Sequence, residues 1–243
     1  MTVHRSTDMT EPTHSTTHTA PSSDTHGETS MTAVDTPPTD TSFAARVKSE
    51  TQDAHDRAEH SHFMGDLLGG KLDRGAYVAL LEQYLHLYRA LEETERRFAG
   101  APELARVLDS RLDRVASLEA DLADLREGAA PAAPTAATAE YVERLTALPA
   151  DAPERYFAHH YLRYLGDLSG GQIIGRLAGR HYEIPAESLR TWTFEGIEKH
   201  KPYKDQYRVA LDTAPLTEAQ REAFIDEAQA GFLLAKKLFD SLA

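Results

Sequence analysis

From residue 42 to the C-terminus, apolar residues return every three or four positions, and no stretch alternates strictly between apolar and polar. That period belongs to helices with one face buried. Ala44, Val47, Thr51, Ala54 and Ala58 predict a first helix, with Asp40, Thr41 or Ser42 as its cap, in a region that runs to a loop at Gly69-Gly70. Asp73 predicts the start of a second, whose inner stripe is Tyr77, Leu80, Leu81, Tyr84, Leu87, Tyr88 and Leu91. Leu104, Leu108, Leu112, Val115, Leu118, Leu122 and Leu125 predict a third over 102–127. The alanine- and proline-rich run 128–138 is expected to be a loop, followed by a short helix near 140–148. Asp151, with Pro153 and Glu154 behind it, is expected to cap a long helix reaching Tyr182. Beyond Pro185 come a shorter helical segment, another helix near 197–212, and a last one opened by the Thr217/Gln220 capping pair. The fold class is all-α, a single-domain helical bundle.

Residues 1–41 break the pattern. They are rich in Thr, Ser, Pro, His and Asp, and after Met1 their only sizeable apolar residues are Val3, Met9, Met31 and Val34. Such a segment buries too little apolar surface to offset its ordering entropy, so a disordered tail is expected, with Met31 a second candidate start. The domain is then 42–243. The tail has no apolar run of the signal-peptide kind and no segment is apolar enough to span a membrane, so a cytoplasmic protein is expected. The 243 residues include no cysteine, which excludes disulfides, thiolate metal sites and cysteine nucleophiles. A net charge of −13 argues against nucleic-acid binding.

One stretch contradicts its own helix. "RYLGDLSGGQ", 163–172, places Gly166, Gly170 and Gly171 in a helix interior, where each glycine costs about 1 kcal/mol relative to alanine. Gly166 and Gly170 share one face; Arg163, Asp167 and Gly171 form the adjacent row. A tight helix crossing would explain the glycines, but it would not place a carboxylate beside the groove. A flat ligand approaching the backbone would use both. Among the histidines, His60, His62, His159, His160, His181 and His200 lie at helix ends or among polar neighbours and are expected at the surface, and His86 is expected to be a satisfied core residue. His55 borders an apolar stripe and shares a face with Lys48 and Glu59, an arrangement suited to binding a metal through a carboxylate-oriented imidazole, with Lys48 reaching an anionic ligand edge.

Together these segments resemble haem oxygenase. "VKSETQDAHDRAEHSHFM", 47–64, is similar to the family's proximal helix, "HHYLRYLGDLSGGQIIGRL", 159–177, to its distal helix, "PYKDQYRVAL", 202–211, to the segment bearing basic residues for the haem propionates, and "EAQAGFLLAKKLFDSL", 227–242, to the end of the last core helix. The resemblance implies haem b as both substrate and cofactor, sandwiched between the two helices and opened to biliverdin, carbon monoxide and ferrous iron with dioxygen and external electrons, at the α meso position. It implies His55 as the iron ligand, with Glu59 bonded to it. Lys48, Lys204 and Arg208 would pair with propionates, Gly166 and Gly170 would admit the haem face, and Asp167, Arg163 and Tyr84 would order distal water. Gln52 stands where some relatives carry lysine, which weakens or removes one propionate contact. A monomer with a redox partner such as a ferredoxin or flavin reductase is expected. Two rival helical frameworks fail on composition: thiamin-type relatives need a cysteine, and a di-iron bundle needs two Glu-x-x-His pairs where the folded part offers only Glu59…His62.

Overall fold

A computed structural model describes residues 42–243; the expected tail, 1–41, lies outside the described residues. The described chain is helical, and it contains no strand. Ser42, one of the three candidate caps, opens α1 (Phe43–Glu59) by accepting from the amide of Ala45. α2 (His62–Leu68), α3 (Arg74–Phe98), α4 (Val115–Leu125), α5 (Ala136–Thr146), α6 (Pro153–Gly166), α7 (Gln172–His181), α8 (His200–Asp212) and α9 (Glu218–Asp240) follow.

α3 is the central column. Tyr77, Leu80, Leu81, Leu87, Tyr88 and Leu91 are fully buried, as the stripe predicts, and Asp73 caps it through the amide of Ala76. α4, α5 and α6 pack around it. α9 lies against both α1 and α6 and so joins the two helices expected to face one another across a ligand. Its capping pair forms as predicted: Thr217 accepts from the Gln220 amide, and the Gln220 side chain accepts from the Thr217 amide. Where α9 crosses α6, Gly231 leaves room that a Cβ would close, since that atom would collide with a Leu162 methyl. No helix of the described residues is long and apolar enough to cross a membrane.

Four boundaries differ from the periodic reading. The chain turns at His60, and Ser61 caps a separate α2. The helix expected over 102–127 is broken: Leu104 and Val107 are buried from turns, Ser110–Leu112 forms one 3-10 turn, and α4 starts only at Val115. The break is made by partners distant in sequence. Glu92 of α3 accepts from the amides of Arg114 and Val115, and the buried Arg114 guanidinium donates to the carbonyls of Arg111, Leu112, Thr191 and Thr193. α5 begins at Ala136, capped by Thr135, and takes in the last three residues of the expected loop. Asp151 does not cap α6; that position falls to Ala152, which makes no side-chain cap bond, and Pro153 supplies the first turn.

Candidate functional site

The long helix expected to reach Tyr182 is interrupted at the glycine cluster. α6 ends at Gly166, residues Asp167–Gly171 form a wider π turn, and α7 resumes at Gln172. Such turns are rare and are concentrated at functional sites. The glycines are not there for backbone freedom. Gly166 and Gly171 have ordinary right-handed helical angles, and Gly170 is not in the left-handed region. What matters is the missing Cβ, and it matters in two different ways. On the inner face, a Cβ at Gly171 or Gly175 would come within 2.8 Å of the Trp192 ring, which is buried and donates to the Tyr77 hydroxyl at 2.9 Å. On the outer face, a Cβ at Gly166 or Gly170 would meet nothing within 4 Å, and both residues are exposed. Close packing accounts for the inner pair and leaves the outer pair as a bare strip of backbone.

Asp167 sits at the start of the same turn and is buried. Its carboxylate accepts from the Tyr88 hydroxyl, and the Arg163 guanidinium stands 3.7 Å away. Arg163 also donates to the Tyr88 hydroxyl at 3.0 and 3.3 Å and lies over the rings of Tyr84 and Tyr88, 4.6 and 5.2 Å from their centres. Tyr84 therefore meets this group through Arg163, while the phenol on the carboxylate is Tyr88. The periodic reading placed Tyr88 on the same stripe but gave it no role; one helical turn separates the two, and only the tertiary partner distinguishes them. Burial raises the Asp167 pKa, opposed by Arg163 and Tyr88. Burial likewise drives the Tyr88 phenol well above its ordinary value. The cluster is thus a buried acid that keeps its proton more readily than a surface aspartate does, held by one phenol and one guanidinium.

His55 is half-exposed on α1. Its Nδ1 lies 3.3 Å from Asp56 and 3.6 Å from Glu59, and its ring meets Phe232 of α9 edge-on at 5.5 Å. Asp56, which the sequence reading passed over, is the nearer carboxylate, and Gln52 is turned to it by a 2.6 Å bond. With Nδ1 directed at carboxylates, Nε2 is the nitrogen left to take a metal. The three groups His55, Asp56 and Glu59 gather within 4.8 Å of one another. Lys48 is exposed on the same helix. On α8, Lys204 reaches back to the π turn and donates to Ser169 at 2.7 Å, while Arg208 pairs with Asp205 at 2.8 Å. Exposed pairs of this kind are worth little and exchange readily for a better anion.

Two histidines expected at the surface are fully buried. His159 donates from Nε2 to the Glu227 carboxylate, 2.9 Å away, and meets the Tyr141 hydroxyl at Nδ1. His160 shares a 2.7 Å bond with the Tyr207 hydroxyl. Their polar sequence neighbours concealed this; the partners lie 47 and 68 residues away. His86 is bonded to the Ala132 carbonyl at 2.9 Å, satisfied as expected but part-exposed and not in the core.

Comparison with known proteins gives the chain its relatives. Residues 41–241 match the family described as heme oxygenase. The chain is 32% identical to heme oxygenase 1 of Synechocystis over 82% of its length and 84% of the relative's. It is 35% identical to human heme oxygenase 1 over 86% and 73% respectively. Among solved structures, the heme oxygenase of Leptospira interrogans superposes with a TM-score of 0.78 at 32% identity, covering 82% of this chain and 98% of that one. Synechocystis heme oxygenase-1 in complex with heme gives 0.76 at 32% identity, covering 83% and 92%.

Proposed function

The chain belongs to the haem oxygenase family, and we propose that it opens haem b oxidatively at one meso-carbon, releasing biliverdin, carbon monoxide and ferrous iron. The observation that carries this reading is the pair Gly166 and Gly170. Neither backbone conformation nor packing within the protein explains a glycine at either place. A flat macrocycle laid on that strip explains both, and Asp167 lies in the same turn to serve the reaction.

As substrate, haem brings the iron and the reacting ring; dioxygen and electrons from a reductase complete the reaction. The residues have separate tasks. His55 takes the iron through Nε2 while Asp56 and Glu59 hold Nδ1 and fix the ring's orientation. Lys48, Lys204 and Arg208 suit the two propionates, and by fixing the rotation of the macrocycle they fix which meso-carbon is presented, the α position by family resemblance. The bare glycine strip keeps side chains off the distal face, so that water and backbone line it. Asp167 holds a proton beside that face, and Arg163, Tyr88 and Tyr84 keep its carboxyl in place. A protein that only stored haem would have no use for a buried acid in the distal turn. We further place the protein in the cytoplasm as a monomer that takes electrons from a ferredoxin or flavin reductase.

The experiment is a haem titration of the full chain followed by single-turnover product analysis with a reductant and dioxygen. A Soret band that decays to biliverdin, with carbon monoxide released in equal amount, is the expected result. Stable haem binding with no conversion would refute the proposal.

A further inference from the structure

α1 ends at Glu59, and its last turn carries two carboxylates, Asp56 and Glu59, at the negative end of the helix dipole. Local stability favours basic residues there, so these two acids answer to another demand. Both stand beside His55: its Nδ1 is 3.3 Å from Asp56 Oδ1 and 3.6 Å from Glu59 Oε2. That order is the reverse of what the helix alone dictates. At about 100° per residue, Glu59 lies about 40° round the helix from His55 and shares its face. Asp56 lies about 100° away, and adjacent residues of a helix do not face one another. The carboxylate that should point elsewhere is nonetheless the nearer one.

Gln52, expected only to leave a propionate contact unfilled, supplies the reason. It sits one turn before Asp56 and between the two residues in angle, about 60° from His55 and about 40° from Asp56. Its side-chain amide donates to Asp56 Oδ1 at 2.6 Å, and this is the same oxygen that stands nearest Nδ1. A carboxylate oxygen has lone pairs for both donors. Held by Gln52, Oδ1 is drawn round the helix toward His55 instead of being left to solvent. The backbone beneath is tied as well, since His60 Nδ1 bonds the Asp56 carbonyl at 2.8 Å. From α9, the Phe232 ring meets the imidazole edge-on at 5.5 Å. The imidazole is thus set between an aromatic ring on another helix and one fixed oxygen on its own.

We propose that Gln52 is a positioning residue for the iron ligand: it aims Asp56 Oδ1 at His55 Nδ1 and so sets, through Asp56, the plane of the imidazole and the electron density it offers the metal. The inference rests on the reading of His55 as that ligand. With Nε2 on the metal, Nδ1 carries the ring's hydrogen and donates it toward the carboxylate. A carboxylate in that place fixes the tautomer and the ring orientation and makes the imidazole a stronger donor. A neutral amide suits the task, because it holds Oδ1 in position and leaves the carboxylate's charge to act on the ring. Gln52 touches neither the iron nor the macrocycle in this role; removing it acts only by letting Asp56 swing away.

The test is the iron–histidine stretching band of the ferrous haem complex, read by resonance Raman on the full chain. Gln52→Ala and Asp56→Ala should each move the band to lower frequency. The double variant should move it no further than Asp56→Ala does, because the two residues act as one unit. Gln52→Lys should return the band toward its wild-type position, since an ammonium four residues away reaches the same oxygen. Asp56→Ala should slow single-turnover haem opening by about tenfold, as loss of an outer partner to a ligating histidine does, and Gln52→Ala by less. In the Asp56→Ala background, adding Gln52→Ala should leave haem affinity unchanged, which separates this role from a direct propionate contact. A wild-type band in Gln52→Ala, or shifts that simply add in the double variant, would overturn the proposal while His55 stands as the ligand. A band that survives His55→Ala would instead overturn the reading beneath it.

Discussion

Replacing Gly170 and Gly175 separately by alanine should have opposite effects on the two faces of one helix. At Gly175 the new Cβ would lie 2.8 Å from Trp192 Cδ1 and 2.9 Å from its Cβ and Cγ. Trp192 cannot easily retreat, because it is buried and its indole is bonded to Tyr77. Overpacking of this kind costs about 1–3 kcal/mol, which for a domain of this size lowers Tm by roughly 3–10 °C. At Gly170 the same atom meets nothing within 4 Å, and alanine's better helix propensity adds up to about 1 kcal/mol. Gly170→Ala should therefore leave the haem-free protein as stable as the wild type or slightly more so. Haem affinity should show the reverse order: weakened by Gly170→Ala, abolished by Gly170→Leu, and little changed in Gly175→Ala at a temperature where it is folded. Denaturant melts without haem, paired with haem titrations, measure both quantities. If Gly170→Leu binds haem normally, or if Gly170→Ala destabilises as much as Gly175→Ala, the division of the helix into a packing face and a ligand face is wrong.

His55→Ala should lose the Soret signature of an imidazole-bound iron and all turnover, with free imidazole partly restoring the spectrum; an unchanged spectrum would assign the ligand elsewhere. Asp167→Ala should retain haem yet yield little biliverdin and acquire peroxide-driven oxidation of an added phenol, with Asp167→Asn intermediate, and a wild-type biliverdin yield from Asp167→Ala would make the carboxylate purely structural. Lys204→Ala with Arg208→Ala should weaken haem binding and give mixed biliverdin isomers by chromatography; a single unchanged isomer at unchanged affinity would leave these residues to solvent. His160 makes acid unfolding steeper: burial holds its pKa at about 3 against an ordinary 6.5, so the stability its neutral form contributes is complete above pH 6.5 and is lost toward pH 3, at about 1.4 kcal/mol per unit. Denaturation of the wild type and His160→Phe at pH 7 and 5 should show the variant losing about 2 kcal/mol less, and equal losses would show that the imidazole is not held neutral.

The parts of this fold that were legible in the sequence are those set by local chemistry. The Asp73 cap, the Thr217/Gln220 pair and the α3 stripe depend on residues within a few positions of one another, and each forms as its spacing predicts. What the sequence concealed was decided across the fold. Residues 104–125 keep a helical period, yet Glu92 and Arg114 divide them, because a carboxylate from α3 takes the amides that a continuous helix would use. Asp151 has the composition of a cap and is not one. Tyr84 and Tyr88 are equivalent by period; only the position of Asp167 distinguishes them. His159 and His160 look solvated in a polar neighbourhood, but Glu227 and Tyr207 receive them in the interior.

The distal helix must satisfy two opposed demands. Its inner face has to be rigid, since a proton-holding carboxyl is useful only at a fixed place; Trp192 against Gly171 and Gly175, and Tyr88 and Arg163 on Asp167, supply that rigidity. Its outer face has to be empty, which removes the side chains that would otherwise stabilise it and leaves Gly166 and Gly170 at a cost of about 1 kcal/mol each. A uniform α-helix rich in glycine and bent around a buried charge would be the weakest element of the bundle. The π turn falls across this junction, from Asp167 to Gly171, and Lys204 of α8 ties its Ser169 from outside. The stability forgone on the ligand side is thus offset by tertiary contacts on the other. This is why substitutions on the inner face should be detected first by melting, and substitutions on the outer face only by the substrate.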